Sequence, residues 1–178
     1  LHGPKGVGFL YIKNNIKIGP MIHGGAQERN MRGGTENVYG IVGLAKALEI
    51  ANEHLNEHQD HIQGLKSYMM ERLQDVFSDI QFNGDVEAER SLYTVLNVSF
   101  PPMDMAEMLL FNMDIAGISV SGGSACSSGS DVGSHVLRAL GNNDRPNIRF
   151  SFCKNNTKQE IDFVVEKLKS FVPVATGL

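Results

Sequence analysis

The longest periodic pattern in the chain runs from Val38 to Val76. Apolar residues recur at Val38, Ile41, Val42, Leu44, Ala45 and Leu48, and again at Leu55, Ile62, Leu65, Met69, Leu73 and Val76. Steps of three and four residues put these side chains on one face of a helix, so the stretch predicts one long helix or two joined near residues 53–57. Helical patterns of this length commonly bridge domains, which sets a boundary near residue 56 and divides the chain into 1–56 and 57–178. A chain of 178 residues accommodates one ordinary domain, or one domain and part of another.

On either side of that pattern the periodicity changes. Residues 8–13, "GFLYIK", are rich in aromatic and β-branched types, and Asn14-Asn15 before "IKI" reads as the turn of a hairpin. Residues 21–37 hold four glycines among polar groups with no period, which predicts a long loop of the functional kind. Beyond the helix, strands and helices alternate. Strands are expected at 80–82 and 92–100, a helix from Asp104, a strand at 118–121, a loop, a short helix at 133–141, a strand at 148–152 and a last helix from Thr157. Thr157 and Glu160 have the spacing of a capping box, and Ile161, Val164, Val165, Leu168 and Phe171 form one apolar stripe behind it. The fold class is α/β overall, with an α+β second domain.

Hydrophobic residues make up 42% of the chain and charged ones 20%, the balance of a folded, soluble protein. With a net charge of −4 and no basic patch, nucleic acid is not expected as a partner. No apolar run is long enough to span a bilayer, and "LHGPKGVGFLYIK" lacks the pattern of a signal peptide, so a cytoplasmic location and no membrane partner are expected. The chain opens without a methionine in a Gly/Pro-punctuated turn, which predicts part of a longer protein. Two cysteines cannot define a disulfide framework.

One of those cysteines, Cys126, sits in "SGGSACSSGS", residues 121–130, among three glycines and five serines. Such a stretch favours a mobile connection, whereas a structural cysteine normally keeps apolar company. A phosphatase would need an arginine at position 132, which is Val, and no papain-like or caspase-like signature surrounds the thiol. A zinc site is not expected, because Cys153 falls in an expected strand and His135 on the next helix. His54, His58 and His61 lie in a run that is polar nearly all round, which reads as a solvated helix face. The plain alternative for Cys126 is a free thiol that happens to lie in a loop.

Two further places could carry chemistry. "RGGTEN", residues 32–37, resembles a phosphate cradle, with backbone N–H groups, the Thr35 hydroxyl and a helix start just beyond. Arg149 stands in the apolar strand "IRFSF", where an arginine pairs with a carboxylate, either the protein's own or a substrate's.

Taken in order, "HGPKGVGFLY", "HGGAQERNMRGGTENV", "SGGSACSSGS", "HVLRALG" and "IRFSF" resemble the cysteine desulfurases of the NifS/IscS type, in the class-V aminotransferase family, across essentially the whole chain. Those enzymes use pyridoxal 5'-phosphate to remove sulfur from L-cysteine, leaving alanine and a persulfide on an enzyme cysteine. The resemblance implies the C-terminal part of a fold-type I transferase: residues 1–56 would end the large cofactor domain, and 57–178 would form a small domain with a mainly antiparallel sheet packed by helices. Cys126 would be the nucleophile and persulfide carrier, which gives a reason for its pliable setting: one sulfur atom must visit both the substrate and an acceptor protein. Arg149 would clamp the substrate carboxylate. Thr35 would reach across a homodimer to the cofactor phosphate of the other subunit. The sulfur acceptor would be a protein such as an iron–sulfur scaffold or a member of a thiolation pathway.

The departures from the pattern are informative too. Gly33 stands where the family usually shows serine or alanine, Lys5 matches a family lysine that does not bind cofactor, and Cys153 matches no family role. The Schiff-base lysine would directly precede Leu1, and the histidine and aspartate that hold the cofactor ring would lie further upstream. The resemblance therefore implies that this chain alone lacks the cofactor and is catalytically inert, with some apolar surface of residues 1–56 left exposed. Two other readings stay open: a related pyridoxal enzyme such as a selenocysteine lyase or aminotransferase, which lacks the "SGGSAC" loop, and a cofactor-free module that relays persulfide through Cys126.

Overall fold

A computed structural model describes residues 1–104, 106–122, 134–141 and 145–174. The chain divides into two compact units, Leu1–Leu55 and Asn56–Leu178.

In the first unit the expected helix is present as α2, Val38–Glu53. It starts at Asn37, whose side chain accepts a hydrogen bond from the Gly40 N–H at 3.1 Å and so satisfies one of the first-turn donors. Small residues at Gly40, Gly43 and Ala47 leave a shallow groove along α2, and the amino-terminal segment lies in it. Pro4 Cγ approaches to 2.8 Å of where a Cβ on Gly43 would stand, and Val7 Cβ to 3.0 Å of the same point on Gly40. Residues 21–37 are mostly irregular, as expected, with one short turn of helix, α1, at Gln27–Asn30. Glu28, Arg29 and Asn30 in this turn all have positive φ, at 46°, 57° and 67°.

The expected hairpin over 8–18 is only half formed. Its turn is closed by the Ile16 N–H donating to the Lys13 carbonyl at 3.0 Å, but neither flank is a strand. An isolated two-stranded ribbon needs a layer to bury one of its faces, and among the described residues none covers this one: Phe9, Leu10 and Tyr11 are 71%, 73% and 77% exposed. Met21, Val38, Tyr39 and Val42 are exposed as well, so the apolar surface expected on residues 1–56 is present.

The periodic stretch breaks at His54 (φ −105°, ψ 18°), giving two helices rather than one, and α3 runs Leu55–Val76. The second unit is built on an antiparallel sheet of β1 (Gln81–Phe82), β2 (Val95–Ser99) and β3 (Asn147–Ser151), in that order. In the β2–β3 ladder Leu96 lies opposite Phe150, Asn97 opposite Arg149, Val98 opposite Ile148 and Ser99 opposite Asn147. Because side chains alternate, the even positions of both strands share one face and the odd positions the other. The even face is the core. Leu96, Val98, Ile148 and Phe150 pack with Leu65, Met69 and Leu73 of α3, Met113 of α4 (Leu109–Ile115), and Ile161, Val165 and Leu168 of α6 (Lys158–Lys169). Phe77 and Phe100 meet edge to face with centroids 5.9 Å apart. Each such buried side chain contributes roughly 1.5–3 kcal/mol relative to exposure, which outweighs any local preference in these short strands.

Helix α6 starts as its sequence predicts. The Thr157 N–H donates to Glu160 Oε2 at 2.8 Å, and the Glu160 N–H donates to Thr157 Oγ1 at 3.3 Å. Three edges differ from expectation. The strand expected at 92–100 contracts to Val95–Ser99, the helix expected from Asp104 opens with a 3-10 turn at Ala106–Met108, and 118–121 forms one bridge to β3 rather than a strand. The last has a local cause: Gly117 (φ 77°) and Gly122 bound a segment of only four residues, and glycine weakens strand pairing. Cys153 also lies past the end of β3, in a turn where the Asn156 N–H donates to its carbonyl at 3.1 Å.

Candidate functional site

The odd face of the sheet is polar. It presents Asn97 and Ser99 from β2, Asn147 and Arg149 from β3, and Asn83 from the residue after β1. Asn83 Nδ2 lies 2.6 Å from Asn97 Oδ1, 2.8 Å from Ser99 Oγ and 2.7 Å from Asn147 Oδ1. Ser99 Oγ also donates to Asn147 Oδ1, and Asn147 Nδ2 donates to the Arg145 carbonyl at 2.6 Å. Ser99 is fully buried, so these bonds satisfy groups that water does not reach.

Arg149 differs from its neighbours. Its backbone stands opposite Asn97 in the ladder and is bonded on the other side to Ser121, the Arg149 N–H donating to the Ser121 carbonyl at 2.6 Å and the Arg149 carbonyl accepting from the Ser121 N–H at 3.3 Å. Its side-chain Nε is buried and has no hydrogen-bond partner among the described residues. A buried guanidinium donor without an acceptor is costly, and the group is built to donate two parallel bonds to a planar anion. Of the two carboxylates that the sequence leaves open for Arg149, the described part of the protein supplies neither Asp nor Glu to this nitrogen.

Thr35 is exposed in the first unit, between Gly34 and the α2 cap Asn37. The Gly34 backbone (φ 107°) donates its N–H to Gln27 Oε1 at 3.2 Å, and Gly33 donates its own to the Ile22 carbonyl at 3.0 Å. A Cβ at Gly33 would stand 2.8 Å from both the N and Cα of Gly24. The glycine at this position is therefore matched to close backbone approach in this chain's own loop. The exposed hydroxyl, the left-handed glycine and the helix start beyond it fit a phosphate group.

Cys126 lies outside the described residues, within 123–133. The described residues next to that stretch are Gly122, one residue beyond the Ser121–Arg149 bridge, and Ser134, which caps α5 (His135–Ala139) by accepting from the Leu137 N–H. Cys153 is half-buried, and its backbone N–H donates to Asn156 Oδ1 at 2.8 Å. His61 Nε2 lies 3.1 Å from the Asn156 carbonyl, and among the described residues no group of three His, Cys, Asp or Glu side chains converges. Thr35 and Arg149 belong to different units.

Sequence reasoning did not find the asparagine network around Arg149. A signal for it was present, since Asn97 and Ser99 alternate in "LNVSF" as Asn147 and Arg149 do in "NIRFS". Period-two polarity in two strands marks a second, polar sheet face.

A helix-backed antiparallel sheet with an arginine on its far face defines a small α+β domain. Residues 1–164 match the family described as aminotransferase class-V, and the chain belongs to that family. It is 44% identical over 165 residues to a putative cysteine desulfurase IscS 1 of Bacillus subtilis (strain 168), covering 90% of this chain and 43% of that protein. It is 40% identical over 174 residues to a cysteine desulfurase IscS of Clostridium botulinum, covering 96% of this chain and 44% of the relative. A solved NifS-like protein superposes with a TM-score of 0.81 at 39% identity, over 96% of this chain and 43% of the other. The chain thus spans less than half the length of the curated relatives it matches.

Proposed function

We propose that this chain is the carboxyl-terminal part of a pyridoxal-phosphate-dependent cysteine desulfurase that converts L-cysteine to L-alanine and carries the sulfur as a persulfide on Cys126. The observation that carries the reading is that Arg149 Nε is buried with no partner among the described residues, on a backbone bridged to Ser121, five residues ahead of Cys126. Five residues of extended chain reach at most about 18 Å. A carboxylate anchor and the tether of a thiol therefore start from adjacent backbone, as an enzyme needs when one amino acid must be held while its sulfur is taken.

In this reading Arg149 binds the substrate carboxylate and fixes the α-carbon. The Cys126 thiolate attacks the substrate sulfur. A sulfur–sulfur bond forms as the carbon–sulfur bond breaks, and its electron pair stays with the substrate carbon, which takes up a proton to give alanine. Bound pyridoxal phosphate supplies the electron sink that makes the substrate carbon chemistry accessible. Thr35 holds its phosphate across a homodimer, and residues 1–56 complete a large cofactor domain while 57–178 act as the small domain. The persulfide then passes to an acceptor protein, such as an iron–sulfur scaffold, in the cytoplasm.

The test is to express the chain as it stands and with upstream sequence restored, then follow visible absorption with pyridoxal phosphate and sulfide release from L-cysteine. The reading expects colour and sulfide from the longer protein only. Cofactor binding by the longer protein without sulfide release would overturn the assignment of Cys126.

A further inference from the structure

We propose that Asn83 is a positioning residue that keeps the Arg149 guanidinium available for a substrate carboxylate by holding the Asn97 side-chain oxygen, across the ladder from it, turned toward its own amide. The inference rests on the proposed role of Arg149 as carboxylate anchor. Asn97 stands directly across the ladder from Arg149 on the same sheet face. Side chains so paired have Cβ atoms about 4.5–5.5 Å apart, well within the reach of an arginine. A carboxamide oxygen in that position is the natural partner of a buried guanidinium, yet Arg149 Nε has none among the described residues. The reason is on the same face. Asn97 Oδ1 accepts from Asn83 Nδ2 at 2.6 Å, and the next two oxygens, Ser99 Oγ and Asn147 Oδ1, lie 2.8 and 2.7 Å from the same amide nitrogen.

The network has a second effect. Ser99 and Asn147 bond to each other as well as to Asn83, and Asn147 is tied to the Arg145 carbonyl, so the oxygens are held in place rather than free to rotate toward β3's arginine. A polar network of this kind fixes side-chain orientation, because turning Asn147 away would cost the buried Ser99 hydroxyl its acceptor. Among the described residues Arg149 Nε is thus left without an acceptor, while Asn83, Ser99 and Asn147 bond to one another.

The experiment uses the longer, cofactor-binding protein and steady-state kinetics with L-cysteine. Asn83→Ala is expected to release Asn97 Oδ1 to Arg149, raising KM about tenfold while kcat stays within about twofold, the pattern of lost ground-state binding. Asn83→Ala combined with Asn97→Val removes the competing oxygen and is expected to restore KM. Asn97→Asp, which leaves Asn83 in place, is expected to capture Arg149 outright and raise KM further. Unchanged KM in Asn83→Ala, failure of the double variant to restore KM, or a fall in kcat alone would overturn the inference. Arg149→Lys separates it from the reading it rests on: if that change leaves KM unaltered the carboxylate anchor itself is wrong, whereas a raised KM there with no effect of Asn83→Ala refutes only the role of Asn83.

Discussion

Arg149 and Ser121 exchange two backbone hydrogen bonds, so β3 and the segment that precedes residues 123–133 are joined at one point. The joint is specific to its register. One residue earlier or later on β3, the bridge would join Ser121 to a core residue, Ile148 or Phe150, rather than to Arg149.

Loss of the anchor should be read most clearly with paired substrates. Arg149→Ala in the longer protein is expected to lower kcat/KM for L-cysteine about 10- to 100-fold, the worth of a charge-assisted bond to a carboxylate. Cysteamine, which lacks the carboxylate, should be turned over no more slowly by the variant than by the parent. Equal losses on both thiols would point to misfolding rather than to lost carboxylate binding.

The start of α6 offers a stability test. Thr157→Ala removes the oxygen that accepts the Glu160 N–H and is expected to cost about 1 kcal/mol, measured as a shift of the urea midpoint without a change of slope. Glu160 is held below the ordinary carboxyl value first by the Thr157 backbone N–H and then by Asn156, so the same change should leave most of its acid dependence in place.

This cap was legible in the sequence because all of its atoms come from four consecutive residues. The same holds for the apolar stripes of α3 and α6, which need only a helical period to be recognised. Residues 8–13 failed the same test for the opposite reason: "GFLYIK" has strand chemistry, but a strand exists only where something pairs with it, and this unit provides no partner. Asn83 was invisible for a related cause. Its partners lie 14, 16 and 64 residues away, and only the register of three strands brings them to one amide. Arg149 could be chosen as a candidate from sequence, but whether it would find an internal carboxylate could not.

An acid and alkaline limb of stability should arise where α3 meets α6. Tyr68 Oη and Arg72 Nε both donate to Asp162 Oδ1 at 2.9 Å, with Lys158 Nζ 4.8 Å from the Tyr68 ring centroid. The Tyr68 hydrogen bond, with Arg72 behind it, lowers the Asp162 pKa below its ordinary 3.8, so its stabilisation is present above that value and lost as pH falls through the folded pKa. The bond to Asp162 likewise raises Tyr68 above its ordinary 10.0, so its share is present below that value and lost as pH rises through the folded pKa. Tyr68→Phe should remove this alkaline loss and soften the acid one, as read from urea midpoints across pH. Both effects should shrink in high salt, since the groups are solvent-accessible.

Lys66 should behave in the reverse sense. It is 1% exposed, with Nζ donating to Ser91 Oγ at 2.8 Å and to the Leu92 carbonyl at 3.1 Å, which pins the segment before β2 onto α3. Burial lowers its pKa from the ordinary 10.5, partly opposed by Asp85. The unfolded chain then binds the proton more tightly, so this residue's contribution to stability rises as pH climbs from the folded pKa toward 10.5. Lys66→Met should abolish that rise at little cost near neutral pH, whereas Lys66→Ala should cost about 2–5 kcal/mol through the cavity it leaves.

Whether Cys126 takes sulfur from L-cysteine is tested most directly by peptide mass mapping. The longer protein, loaded with pyridoxal phosphate, is mixed with one equivalent of L-cysteine, quenched by alkylation and digested. The account predicts one added sulfur atom on the peptide carrying Cys126, none on the peptide carrying Cys153, and alanine in matching amount. Alanine and sulfide formed with Cys126 unmodified, or sulfur on Cys153 instead, would contradict it.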